Sequence, residues 1–392
     1  MPPEIQPFLS WSSNLGFLTE GHYPVVTSCF QNGQLQILVG NKNLYAFNLL
    51  GKPLWTFETK GLLKKIVPLS IEQNSNKFII YSESTSDVLV SSANLLTYTY
   101  SQGNIYFFEE EQNPKIKLTF HQQKLSSLEI CSSLLNDSLW ICMGITKLGH
   151  RSNGLLQILD INGNTIWERA FSSPVTSLKC CMNSDKEFCL LAGTELGELI
   201  ALDCLGNIKW ERKALNEKVT ILCIANSSKD SFQLVVGGKL GNFSVCSLSG
   251  DLLWSDQGKS VLLGISCMDV DEDGEDEILT FFADRLSCYR LSGDILWTVR
   301  FENEVLSFNP PIALDKEIMI CSGEDALILD AGNGSLLWKI NLQGQGVACC
   351  KWESDDQSGW VVCIEKKPKR KMIGIPKYNQ LFLGLITHKS VS

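Results

Sequence analysis

At 392 residues and 44% hydrophobic content, the chain is long enough to bury a sizeable core and to hold two average domains. Its formal net charge of −9, from 34 basic and 43 acidic residues, argues against a general nucleic-acid-binding face. No apolar run reaches bilayer-spanning length, and the start MPPEIQPFLSWSSN has neither the basic beginning nor the apolar stretch of a secretory signal, so a cytoplasmic location is expected.

In chain order, Phe8 to Trp11 reads as an outer strand without the three strands that should precede it. Val25 to Trp55 supplies a complete set of four: VVTSCF, QLQILVG, NLYAFNL and PLWTFE. Residues 62–120 form an irregular set. Its middle, Tyr81 to Ala93, is long and rich in Ser, its third strand is GNIYFFEEE from Gly103, and no Trp closes it, so an insertion is expected to loop out here. From about Leu125 to Ile340 the pattern is regular, apart from a polar turn KLGHRSN at Lys147 to Asn153. Residues 341–392 then offer three strands, VACCKW, GWVVCIE and QLFLGLI. Adding residues 6–14 completes a four-stranded set drawn from both termini.

A repeat underlies this order: an apolar strand, a Gly, three residues and a Trp. Gly and Trp stand four apart at 51/55, 163/167, 206/210, 250/254, 293/297 and 334/338, and from Gly163 onward the Gly positions follow at 43, 44, 43 and 41 residues. That period suits a four-stranded propeller blade. Runs such as Leu199-Ile-Ala-Leu202 are apolar at every position, as strands covered on both faces must be. The Gly permits a positive φ in the hairpin that follows, and the Trp opens the outer strand with a ring large enough to fill the gap between blades. The whole of 1–392 therefore reads as one all-β propeller, with eight blades closed by the N-terminal strand or, alternatively, seven and a separate C-terminal hairpin.

The unit resembles the quinoprotein-like (PQQ-like) β-propeller repeat, whose tryptophan-docking signature has the form A-x-D-x-x-x-G-x-x-x-W. Asp330, Gly334 and Trp338 match it, with Ile328 where the family has Ala. Ala201, Asp203, Gly206 and Trp210 keep the Ala but are one residue shorter before the Gly. The resemblance covers about Val25 to Ile340 and implies a fold, not an activity.

The most specific chemical signal is Asp269-Val-Asp-Glu-Asp-Gly-Glu-Asp-Glu277, with carboxylates at relative positions 1, 3, 5 and 9 and Gly at 6. Oxygen ligands at alternate positions of a tight loop can converge on one hard cation. The stretch resembles the calcium loop of FG-GAP repeats, found in integrin-type propellers. By that resemblance Asp269, Asp271, Asp273 and Glu277 would ligate one structural calcium ion through their side chains and Glu275 through its carbonyl. An acidic turn that binds nothing is the alternative.

Other candidates are weaker. The fifteen Cys are mostly single residues in apolar strands, with no C-x-x-C, so neither zinc nor a disulfide framework is expected. The vicinal pairs Cys180-Cys181 and Cys349-Cys350 invite comparison with the adjacent-Cys disulfide of some quinone-dependent dehydrogenases of this fold. Alternation of small apolar residues explains them equally. His22, His121, His150 and His388 have no motif around them, Lys366 to Lys371 reads as a solvated basic hairpin, and Glu109 to Glu111 as solvated rim. No catalytic residue, bound cofactor or PQQ is expected. A protein-interaction scaffold, one subunit of a larger complex, is the first reading, and a quinone- or metal-dependent enzyme the alternative.

Overall fold

The computed structural model describes residues 7–17, 25–31, 34–68, 78–90, 96–108, 114, 116–121, 123–132, 139–147, 153–160, 162–182, 188–227, 231–311, 316–353, 358–366 and 380–388. Strands there are built from β-branched and aromatic residues, with Gly, Asn and Asp in the turns between them. Eight four-stranded antiparallel sheets result, the blades of an eight-bladed β-propeller.

Seven of them use consecutive strands. The first comprises β2 (Val25–Gln31), β3 (Gln34–Gly40), β4 (Asn43–Asn48) and β5 (Pro53–Glu58). The next is β6 (Leu62–Pro68), β7 (Phe78–Val90), β8 (Leu96–Phe108) and β9 (Ile116–His121). Here the expected looped insertion is instead largely absorbed into β7 and β8, which are 13 residues each. Thr85, Thr97 and Thr99, with Val88, Val90, Tyr98 and Tyr100 among the Ser, suit extended backbone, which explains why a Ser-rich stretch continues the strands.

Four blades follow in sequence: β10 (Gln123–Ser132) with β11 (Leu139–Lys147), β12 (Asn153–Asp160) and β13 (Thr165–Phe171); β14 (Val175–Met182) with β15 (Phe188–Thr194), β16 (Glu198–Leu202) and β17 (Ile208–Lys213); β18 (Val219–Ser227) with β19 (Ser231–Gly238), β20 (Asn242–Ser247) and β21 (Leu252–Gln257); and β22 (Leu262–Met268) with β23 (Glu277–Phe282), β24 (Arg285–Tyr289) and β25 (Ile295–Arg300). Then come β26 (Val305–Asn309), β27 (Glu317–Ser322), β28 (Asp325–Asp330) and β29 (Leu336–Asn341).

The eighth sheet has the order β1-β32-β31-β30, from β30 (Gln345–Glu353), β31 (Ser358–Lys366), β32 (Gln380–His388) and β1 (Pro7–Phe17). The N-terminal strand is thus the fourth strand of a blade begun at the C-terminus. It runs three residues beyond the 6–14 read from sequence, pairing Pro7 with His388 and Phe17 with Gln380.

The blades belong to two compact units. One comprises Met1–Thr85, Asn104–Thr119 and Phe301–Ser392, the other Ser86–Gly103 and Phe120–Arg300. Within each unit the apolar core lies between neighbouring blades. In the second, Trp140, Cys142, Leu156 and Ile158 of one blade pack with Leu178, Leu190, Ala192 and Leu202 of the next. In the first, Leu38, Ala46 and Trp55 pack with Phe78, Ile80 and Phe108. Leu199 to Leu202 are buried at every position, as a strand covered on both faces requires.

The Trp repeat fastens these layers. Trp167 on β13 sends its Nε1–H to the Cys204 carbonyl in the next blade's hairpin, at 3.0 Å, and its ring lies against Gly206. Gly206 has φ +82°, and a Cβ there would lie 2.9 Å from the indole, so this position needs Gly for its turn and for the approach of the ring. Trp210 meets Gly250 and Trp254 meets Gly293 in the same way. In these three pairs the Trp of one blade docks on the hairpin of the following one. Asp203 stabilises the Gly206 hairpin: its Oδ1 accepts from the amides of Leu205 and Asn207 at 2.9 and 2.8 Å, as Asp160 does for Asn162 and Asn164 in the preceding blade.

Candidate functional site

The acidic loop joins β22 to β23, the first two strands of a blade. Carboxylate oxygens of Asp269, Asp271 and Asp273 all lie within 4.8 Å of one another. Backbone amides hold them in place. Asp269 accepts from Glu272 N–H on Oδ1 (2.6 Å) and from Gly274 N–H on Oδ2 (2.9 Å), Asp273 Oδ1 accepts from Glu275 N–H (2.8 Å), and Asp271 Oδ1 takes a longer bond from Asp273 N–H (3.3 Å). The turn needs left-handed backbone at two residues, Glu272 (φ 66°) and Gly274 (φ 90°). Gly274 meets that need at no steric cost, whereas Glu272 is an L residue in a sparsely populated region.

Glu277 is placed differently from the other three. It begins β23, is only 2% exposed, and its Oε2 accepts from the Val270 amide at 2.9 Å, closing the neck of the loop. Burial pushes its carboxyl up; the Val270 bond offsets this in part, and the neighbouring Asp271, Asp273 and Asp269 carboxylates add to it, to about 7. The structure thus gathers the three Asp side chains and sets Glu277 at the base, as a support for the loop backbone. Glu275 contributes its amide to Asp273.

Asp276 is a residue the sequence reading passed over. Its amide donates to the Asn226 carbonyl at 2.8 Å, and its Oδ2 accepts from the Asn226 amide at 2.7 Å. This pair of bonds ties the acidic loop to the end of β18 in the preceding blade. Burial raises the Asp276 carboxyl despite the Asn226 bond. Among the seven acidic residues of Asp269 to Glu277 nothing in sequence marks one of them as a tether.

Chemically, three carboxylates on a pre-formed loop suit a hard divalent cation with oxygen ligands. They are not arranged for proton transfer, for they face one another and backbone amides. Of the histidines, His121 is exposed on β9, His22 and His150 lie outside the described residues, and nothing is described of the His388 side chain. From the basic run, Lys366 ends β31 with its Nζ 5.0 Å from the Phe382 ring centroid, while 367–371 lie outside the described residues, as do Glu109 to Glu111 and the centre of the turn at 148–152.

The vicinal Cys pairs part company. Cys180 lies with Cys131 and Cys142, whereas Cys181 pairs with Cys189. Likewise Cys349 interacts with Cys321, and Cys350 is buried separately in the core shared with β3 and β4. Alternation along the strand sends neighbours to opposite faces.

No family model matches the chain, nor does any curated protein sequence. Solved structures do share its fold. A europium-containing methanol dehydrogenase aligns with a TM-score of 0.61 at 10% identity over 99% of this chain and 95% of that one. BamB from Moraxella catarrhalis gives 0.57 at 12% identity over 96% and 97%. BBS1N, in a crystal structure with ARL6DN, gives 0.56 at 10% identity over 86% and 97%. At such identities the likeness is one of fold: a β-propeller architecture common to proteins of different activity.

Proposed function

We propose that this chain is a non-enzymatic interaction scaffold built on quinoprotein-like repeats, a cytoplasmic subunit of a larger protein complex. The observation that supports this reading is a set of apolar side chains left in solvent at repeated positions. In the unit that contains β10 to β25, the residue two before the docking Trp is exposed and apolar in three successive blades: Ile208, Leu252 (61%) and Ile295 (58%). Leu253 beside Leu252, and Leu205 (71%) at the hairpin before Ile208, extend the set. Single exposed apolar residues are ordinary, but recurrence at one blade position lines them along one side of the repeat, as a binding surface would be. BBS1N with ARL6DN is a similarly folded chain crystallised with a protein partner, which is consistent with this reading.

The test is a paired substitution, Leu252→Asp with Leu253→Asp. Both side chains are exposed, so melting should move by no more than about 0.5 kcal/mol, while cross-linked partners recovered from cell extract with the wild-type chain should be lost. Equal recovery by the variant would count against this surface. A quinone-dependent enzyme is the alternative, and an absorption spectrum of the purified protein with a bound quinone chromophore would favour it.

The acidic loop is proposed to take one structural calcium ion through Asp269, Asp271 and Asp273, with Glu277 and the Glu275 carbonyl completing the set by resemblance. Three facing carboxylates repel one another, and a divalent cation relieves that repulsion while pinning β22 to β23. Calcium at one hundred times its dissociation constant should raise stability by about 2.7 kcal/mol. Asp271→Ala should abolish that gain without lowering the stability of the metal-free protein. Absence of a calcium heat by titration at millimolar concentration, or equal heats from wild type and variant, would leave the loop merely acidic.

A further inference from the structure

Three strands of two neighbouring blades bring three thiols to one place. Cys131 is on β10, Cys142 on β11 and Cys180 on β14, and their sulfur atoms all lie within 4.8 Å of one another, with 3.6 Å between the Sγ atoms of Cys131 and Cys142. The register explains the first two. Cys131 stands opposite Trp140, and Cys142 opposite Glu129, so the two Cys are diagonal neighbours on the same face of the sheet. That face is covered by the next blade, whose first strand contributes Cys180. The apolar surround is Trp140, Leu178 and Leu190. Cys142 is fully buried, while Cys131 and Cys180 are half-buried.

We propose that Cys131, Cys142 and Cys180 form a three-sulfur site for a thiophilic metal ion, copper(I) or zinc(II), that staples the β10–β13 blade to the β14–β17 blade. Thiolate sulfur is soft and selects such ions over calcium or magnesium. With metal–sulfur bonds of about 2.3 Å, three sulfurs around one ion stand roughly 4 Å apart. The spacing here, from 3.6 Å to at most 4.8 Å, brackets that value. Sulfur shifts of less than about 1 Å therefore suffice, within the reach of χ1 adjustments of half-buried side chains.

Binding of the ion as a tris-thiolate displaces the three thiol protons to solvent, with no change of oxidation state. Beside the cluster, Lys179 is ion-paired to Glu129 at 3.1 Å. Elsewhere among the described residues thiols meet in twos, as Cys223 with Cys267 and Cys321 with Cys349, and no second group of three is present. A site of this kind escapes sequence motifs. Its ligands come from three strands of two blades, with no short spacing to betray them.

The experiment uses the reduced, metal-free full chain, titrated separately with zinc(II) and with copper(I) against a competing chromophoric chelator. One equivalent of at least one ion should bind with a sulfur-to-metal charge-transfer band in the ultraviolet. Cys131→Ser and Cys180→Ser, chosen because both positions are half-buried, should each weaken binding about tenfold or more, and Cys204→Ser, a half-buried thiol outside the cluster, should leave it unchanged. Circular dichroism of the metal-free variants checks that they fold. Should either serine variant unfold, the corresponding Ala variant replaces it, and protection of Cys131 and Cys180 from alkylation by one equivalent of ion in the wild-type chain gives the same answer without substitution. Preference for copper(I) identifies three-coordinate sulfur ligation, and preference for zinc(II) a fourth ligand from water. Failure of both ions to bind, binding unchanged in Cys131→Ser and Cys180→Ser, or binding lost instead in Cys223→Ser, overturns the proposal.

Discussion

Removal of residues 1–17 is expected to destabilise the protein by roughly 5 kcal/mol or more, as if a core strand had been cut out and not a tail trimmed. The strand β1 is paired with β32 over its whole length, from Pro7 opposite His388 to Phe17 opposite Gln380, through two bulges. Each backbone hydrogen bond contributes on the order of 1 kcal/mol net, and nearly every residue of β1 takes part in the ladder. Without it, β32 becomes an edge, with free N–H and C=O groups beside the buried Leu383, Leu385 and Ile386. Aggregation on heating should follow. Calorimetry of the truncated chain would measure the loss, and a synthetic peptide of residues 1–18 should restore part of it by adding back as a strand. Cooperative melting at the wild-type temperature would show that the blade does not depend on its N-terminal strand.

The eight-bladed fold was legible because one unit is written repeatedly. A Gly and a Trp four residues apart, after an apolar strand, fix the third strand, the hairpin and the fourth strand of a blade. The Trp ring was expected to fill the gap between blades, and Trp167 does so by lying on Gly206 of the next blade. The blade without a Trp was the least legible. There the long strands β7 and β8 hide in a Ser-rich stretch, since alternation alone does not separate a lengthened hairpin from a loop. The acidic loop showed in sequence as carboxylates at alternate positions, which brings Asp269, Asp271 and Asp273 together. Glu277 opposite the Val270 amide and Asp276 against Asn226 were not legible, because both depend on backbone groups whose position only the folded loop defines. The thiol cluster was hidden for a related reason: residues 131, 142 and 180 become neighbours only through sheet register and blade stacking.

Trp254→Ala should cost about 3 to 5 kcal/mol, the range for deleting a large packed aromatic side chain. Trp254 stands on β21, and its ring packs edge-on against Phe243 with centroids 5.5 Å apart, and lies 6.1 Å from Tyr289 of the following blade. Its Nε1–H donates to the Leu291 carbonyl at 2.7 Å, and Gly293 comes so near that an added Cβ would be 3.2 Å from the indole. Truncation therefore opens a cavity between two blades and leaves the Leu291 carbonyl without this donor. The neighbouring Gly293 hairpin cannot collapse into the gap without losing its own Gly293 N–H to Arg290 bond of 2.9 Å. Trp254→Phe separates the two contributions: it keeps a ring between the blades and loses the indole donor, so it should cost less than the Ala variant, with about 1 kcal/mol of the loss coming from the missing hydrogen bond. Trp167→Ala, two blades earlier, should add to Trp254→Ala to within about 0.5 kcal/mol, since each ring docks on a different hairpin. Denaturant melts of the single and double variants give all three numbers. A loss below about 0.5 kcal/mol for Trp254→Ala would mean that the ring rests on the surface and that some other contact joins these blades.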